Sequence, residues 1–182
     1  MRYSGEMTVD VQAMPVAAVV QLVNGWGTVP RQEAGGRPAP PAADLLAVLG
    51  HAGSVAAAEL QRVADQLFPV FAAAGAAARA RRVTDLLADA RVRPALTADS
   101  GEIRGSWLVP RKRDVLLAAA AISLQVQLAE HGSDRLGTCG ANRCADVYVD
   151  ASPAGHRRFC SVTCQNRARV AVFRRRQSGA KG

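Results

Sequence analysis

The sequence predicts a mainly α protein with a small β-hairpin. A helical N-terminal domain spans residues 1–134, and a C-terminal four-cysteine module of β-hairpin and helix spans residues 135–182. Three observations carry this reading. Apolar residues recur at helical spacing through much of the first part. All four cysteines fall between Cys139 and Cys164. The whole net charge of +8 is confined to the segment that holds them. A length of 182 residues suits one domain or one domain plus a small module. The hydrophobic fraction of 49% is that of a folded chain, although much of it is alanine, which buries little area per residue.

Residues 1–10 show no periodic pattern and are expected to be loosely ordered. Val16–Val23 is a short apolar run that suits either a helix or a buried strand. Asn24, Gly25, Trp26 and Gly27 are expected to break it, and the proline- and glycine-rich stretch from Thr28 to Pro41 reads as a loop. Ala42–Leu49 makes a short helix closed by Gly50, and Ser54 is a suitable cap for the next. There Leu60, Val63, Leu67 and Val70 or Phe71 form one apolar stripe, and Pro69 should kink the helix or end it early. Ala76–Ala90 gives a further helix with Val83, Leu86 and Leu87 inward and Arg79, Arg81 and Arg82 mostly outward. Between residues 94 and 109 the helical pattern stops around Asp99, Ser100 and Gly101, which predicts a β-hairpin. Asp114 can cap a long, largely buried helix through Leu128, with Gly132 as its stop. Gly132–Thr138 reads as a linker.

No apolar run reaches the roughly 18 residues that a membrane-spanning helix needs. Met14–Val23 follows Glu6 and Asp10 and lacks a clear cleavage site, so it reads poorly as a signal peptide. A cytoplasmic protein without membrane contact is expected, in which cysteines serve as thiols or metal ligands rather than disulfides.

The cysteines are spaced Cys139-x4-Cys144, then fifteen residues, then Cys160-x3-Cys164. Two close pairs at that separation are the pattern of a tetrahedral Zn²⁺ site, each pair supplying two thiolates from one turn or helix start. Cys139, Cys144, Cys160 and Cys164 are therefore the expected ligands. His156 lies in a loop among arginines and reads as a rim residue, while His51 and His131 sit near helix ends. Val147–Val149 favours a strand, Asp150–Gly155 a turn, and Arg158–Cys160 a returning strand. Ser161 then caps a helix with Cys164 in its first turn, where the helix N-terminus favours a thiolate.

From Arg135 onward ten lysines and arginines stand against Asp146 and Asp150, an excess of eight that accounts for the whole net charge. That asymmetry is the footprint of a polyanion-binding module joined to a neutral domain. Arg143, Arg157, Arg158 and Arg167 lie close enough to the cysteines in sequence to offset thiolate charge. On a helical wheel Cys164, Ala168 and Val172 share a line facing the metal, with Arg167 and Arg174 on one side, Arg169 and Arg176 on the other, and Arg175 nearby. Such a helix, about 25 Å long over Ser161–Gln177, can enter the major groove of duplex DNA.

Cys139-x4-Cys144, Tyr148-Val149-Asp150-x-Ser152, Arg157-Arg158-Phe159-Cys160-Ser161 and Cys164-Gln165-Asn166-Arg167-Ala168-Arg169 together resemble the CGNR zinc-finger family. Gln165 stands where the signature has glycine, and Arg169 where lysine is common. Upstream, Leu22-Val23-Asn24, Asp44-Leu45-Leu46-x-x-Leu49 and the late hairpin resemble the ABATE domain that usually precedes the finger in that family. The resemblance implies a bacterial, stress-linked transcription regulator with a DNA-binding finger.

The reading is then a zinc-finger regulator whose finger contacts duplex DNA through Arg157, Arg158, Arg167, Arg169, Arg174, Arg175 and Arg176. Its N-terminal domain has a sensing or dimerisation role, with a homodimer as one assembly it allows. The alternatives are a protein-interaction adaptor using Val170 and Phe173, or an RNA-binding protein. Against the latter, Tyr148, Phe159 and Phe173 are few aromatics for a stacking platform. No enzyme is expected: there is no nucleotide loop and no nucleophile with a base, and four thiolates leave no open position on zinc.

Overall fold

A computed structural model of the chain describes residues 8–42, 55–99 and 101–179. Apart from Ala42, the helix expected over Ala42–Leu49 lies outside the described residues, as do Gly50, His51 and Ser54. The first helix, α1 (Val16–Trp26), settles the ambiguity of the apolar run in favour of helix. Its Ala18, Val19, Leu22, Val23 and Trp26 recur at helical spacing and are all buried. The helix continues through Asn24 and Gly25 and stops at Gly27, where a Cβ would lie 2.5 Å from the Val23 carbonyl oxygen.

A second helix, α2 (Thr28–Glu33), replaces the first part of the expected loop. Pro30 sits in its first turn, where a missing N–H costs nothing. The cap comes from elsewhere in the chain: the Asp65 carboxylate accepts the Thr28 N–H at 2.6 Å and its hydroxyl at 2.7 Å. Asp65 belongs to α3 (Ala57–Ala72), whose Leu60, Val63, Ala64, Leu67, Val70 and Phe71 are buried as the stripe predicts. Pro69 does not end α3 early, because burial of Val70 and Phe71 holds the last turn in place.

In α4 (Ala76–Asp89), Val83 and Leu86 are buried, while Arg81 and Arg82 face solvent. Arg79 departs from expectation and turns inward, donating to the carbonyls of Ser133 and Phe71. The expected hairpin is present as β2 (Arg93–Asp99) and β3 (Glu102–Val109), with Gly101 at a φ of +86°. Part of the segment expected to be loosely ordered is a strand, β1 (Val9–Val11). It pairs antiparallel with β3 in register Val9↔Val109 and Val11↔Trp107, giving the order β1-β3-β2. Three alternating residues are too few to signal a strand by themselves, and burial of Val11 against the core supplies the rest.

The long helix α5 (Val115–His131) is buried from Leu116 through Leu124 and stops at Gly132, both as expected. Asp114 does not cap it with a side-chain hydrogen bond; its carboxylate takes the Arg111 Nε–H at 2.6 Å. Beyond α5, β4 (Leu136–Thr138) pairs antiparallel with β5 (Val147–Val149). This is the module's hairpin, formed on the opposite side from the one expected: residues 158–160 do not return as a strand, and the supposed linker supplies the partner. Leu136 and Val147, 3% and 0% exposed, join the same core as α1, α3 and α5. The final helix, α6, spans Val162–Gly179. Among the described residues, no helix is long and apolar enough to cross a membrane.

Candidate metal centre and nucleic-acid interface

The hairpin sets the first cysteine pair. β4 delivers Cys139, whose N–H donates to the Asp146 carbonyl at 2.8 Å, and Gly140 N–H donates to the Arg158 carbonyl at 2.9 Å. Between the two cysteines the chain turns through Arg143 at a φ of +57°, a left-handed conformation rare outside glycine. The turn closes with the Asp146 backbone N–H on the Cys144 sulfur.

The second pair is set by a helix start. The Ser161 hydroxyl accepts the Cys164 N–H at 3.2 Å, the N-cap geometry that the sequence predicts. Cys160 therefore precedes the cap and Cys164 lies in the first turn. Their sulfurs are 3.6 Å apart, and the Cys144 and Cys160 sulfurs 3.7 Å apart.

All four sulfurs lie within 4.8 Å of one another. Four sulfurs at about 2.3 Å from one ion, in a tetrahedron, stand about 3.8 Å apart, so the observed set fits a tetrahedral thiolate site. None of the four is in a disulfide. Cys139 and Cys164 are buried while Cys144 and Cys160 are half-buried. Without a metal, burial is the chief reason that the Cys144 thiol is pushed up to about 12, with the nearby Asp146 carboxylate adding to it. Burial likewise raises Cys160. At Cys164 burial also acts upward, but the Ser161 hydroxyl and the other three sulfurs outweigh it, and the value is lowered. His156 lies outside the cluster, in keeping with its reading as a rim residue.

Arg157, although exposed, braces the module through its hydrogen bonds. Its Nε donates to Phe159 O at 2.9 Å, its Nη1 to Val149 O at 3.2 Å and its Nη2 to Cys160 O, while its guanidinium lies 5.4 Å from the Tyr148 ring centroid. Tyr148 in turn donates its hydroxyl to Arg157 O at 2.7 Å. Asp150, 4% exposed, accepts Ser152 N–H at 2.9 Å and Arg157 N–H at 2.8 Å. Its hydrogen bonds to Ser152 and Arg157, with Arg135 nearby, hold it down at about 2.

Two residues of the helical body also reach the site, and the motif reading missed their part in it. Asn24 of α1 donates to Val147 O at 3.0 Å and accepts Val147 N–H at 2.7 Å. Arg37 pairs with Asp146 at 2.8 Å and donates to Asn24 O at 2.6 Å. Asn24 stood out as a polar amide beside the apolar stripe of α1 and as part of the Leu22-Val23-Asn24 resemblance, but neither signal pointed to the metal site. Arg37, between Gly36 and Pro38, carried none.

The remaining arginines lie at the surface. Arg158, Arg167, Arg169, Arg174, Arg175 and Arg176 are exposed, with Arg167 Nη1 directed at Asn142 O at 3.5 Å. The line Cys164, Ala168 and Val172 faces the module only in its first part: Cys164 is buried, Ala168 half-buried and Val172 49% exposed. From Val172 to Gln177 every residue is exposed. Its 18 residues extend about 27 Å.

Paired thiolates on a hairpin turn and on a helix start, closing a tetrahedral pocket before a basic helix, define the class: a four-cysteine metal-binding finger. Residues 135–177 match the family model of the CGNR zinc finger, a match over about the last quarter of the chain. No curated protein matches the chain.

Proposed function

We propose that this protein is a DNA-binding transcription regulator. Cys139, Cys144, Cys160 and Cys164 hold one Zn²⁺, which supplies a structural crosslink, and the stapled module presents α6 to duplex DNA. The observation that carries the reading is the joining of a metal-type thiolate cluster to a helix with exposed Arg167, Arg169, Arg174, Arg175 and Arg176. Arginine is suited both to phosphates and, through its planar fork, to guanine edges. Arg158 lies on the same module and can add a phosphate contact. Arg157, with three donors on backbone carbonyls, supports the finger more than it reads DNA.

The ABATE-like N-terminal domain is assigned a sensing or dimerisation role. Leu96 and Ile103 support the latter: they lie on one face of the β2–β3 hairpin, 78% and 74% exposed. A second reading, the protein-interaction adaptor, is favoured by Val170, Val172 and Phe173, which are 48%, 49% and 60% exposed on α6.

Alanine at Arg167, Arg169, Arg174, Arg175 and Arg176 separates the two readings. Fluorescence anisotropy of the zinc-loaded chain with a labelled duplex should show binding lost in this variant, with zinc content unchanged. Unchanged duplex binding would favour the adaptor.

A further inference from the structure

Asp146 touches three of the four candidate ligands. Its carbonyl accepts the Cys139 N–H at 2.8 Å, its own N–H points to the Cys144 sulfur, and its Oδ2 lies 3.7 Å from Cys160 Sγ. Whatever fixes Asp146 therefore fixes most of the site, and that role falls to residues far away in the sequence. Arg37, 109 positions upstream, reaches the carboxylate with Nη2 at 2.8 Å and Nη1 at 3.4 Å. Asn24, 123 positions before Val147, takes both backbone groups of that next residue, as a neighbouring strand would. The hydrogen bond from Arg37 to Asn24 O makes the two one clamp.

Charge gives the clamp a second task. A divalent ion with four thiolates carries a formal charge of about −2, and the Asp146 carboxylate beside Cys160 makes the cluster more negative still. Arg37 is the cation paired with that carboxylate; the Asp146 side chain is 16% exposed and that of Arg37 40%, so the pair is partly shielded from solvent. Removing Arg37 takes away the cation paired with a carboxylate that lies 3.7 Å from the Cys160 sulfur.

We propose that Asn24 and Arg37 are positioning residues of the metal centre. The N-terminal body completes the finger's metal site, and metal occupancy in turn holds residues 24–37 against the module. This rests on the metal-binding reading above. By linkage, whatever affinity the clamp adds for metal, the metal returns as stability of the clamp.

The test uses the full chain, Zn²⁺ and a competing chromophoric chelator. Arg37→Gln should lower zinc affinity about 10-fold or more, the usual effect of losing a residue that orients metal ligands. Arg37→Lys, which keeps the charge and loses the fork, should fall between. In an Asp146→Asn background the Arg37→Gln effect should shrink to about threefold or less, because the partner is already gone. Stripping the metal from the wild type should speed amide exchange across residues 24–37. Wild type that takes up zinc while Arg37→Gln and Arg37→Lys bind it equally well would overturn the proposal. So would an Arg37→Gln loss of the same size in both backgrounds. A wild type that takes up no zinc would instead overturn the metal reading on which the proposal stands.

Discussion

Asp150 shows how one carboxylate holds the loop that carries the module's second half. With its acid strength raised so that it titrates at about 2 against an ordinary 3.8, it stabilises the fold fully above about pH 4. That contribution is lost as the pH falls through about 2, because the folded form must then accept a proton that its two amide donors oppose. Asp150→Asn leaves one acceptor for two N–H groups, so the Ser152 and Arg157 amides should exchange faster. In urea unfolding, the stability gap between wild type and Asp150→Asn should be constant above pH 4 and shrink towards pH 2; a constant gap across that range would remove the carboxylate from the account. Zinc affinity should rise with pH, since metal displaces thiol protons, and this is measurable by chelator competition at pH 6 and 8. The cysteines were legible in the sequence because their spacing is local. Asn24 and Arg37 were not, because hydrogen bonds across 123 and 109 positions leave no local pattern.

The elements of the module depend on close fits that single substitutions expose. Gly137 lies opposite Tyr148 in the β4–β5 pair, and a Cβ there would come within 2.6 Å of the tyrosine hydroxyl oxygen. Gly137→Ala should push the ring out of place, releasing the Arg157 carbonyl and weakening the module by about 1–3 kcal/mol; differential scanning calorimetry of the zinc-loaded chain would measure it. Ser161→Ala removes the α6 cap and should cost about 1 kcal/mol. The apolar stripe of α3 was readable from periodicity, whereas α5, buried on every side from Leu116 to Leu124, was readable from its apolar length between Asp114 and Gly132. The misread elements took their stability from tertiary partners: α2 is capped by Asp65 of α3, and β1 and β4 exist by pairing with β3 and β5. The hairpin's side was misassigned because Leu136-Gly137-Thr138 looks like linker until Leu136 is seen to fill the core.

For the whole molecule, charge and core divide the chain differently. The excess positive charge begins at Arg135, whereas the apolar core continues through Leu136 and Val147. Residues 1–134 are expected to fold alone and to bind DNA negligibly. They should melt at a lower temperature than the full chain, since each buried Leu or Val side chain lost contributes about 1.5–3 kcal/mol. The central claim, that the stapled finger carries α6 to duplex DNA, is tested most directly by the salt dependence of duplex affinity for the zinc-loaded full chain. Four to five arginine–phosphate contacts predict that log affinity falls with log salt at a slope near −4 for one protomer, and about twice that for a dimer. A slope near zero, or the same slope after alanine replaces the five α6 arginines, would contradict it.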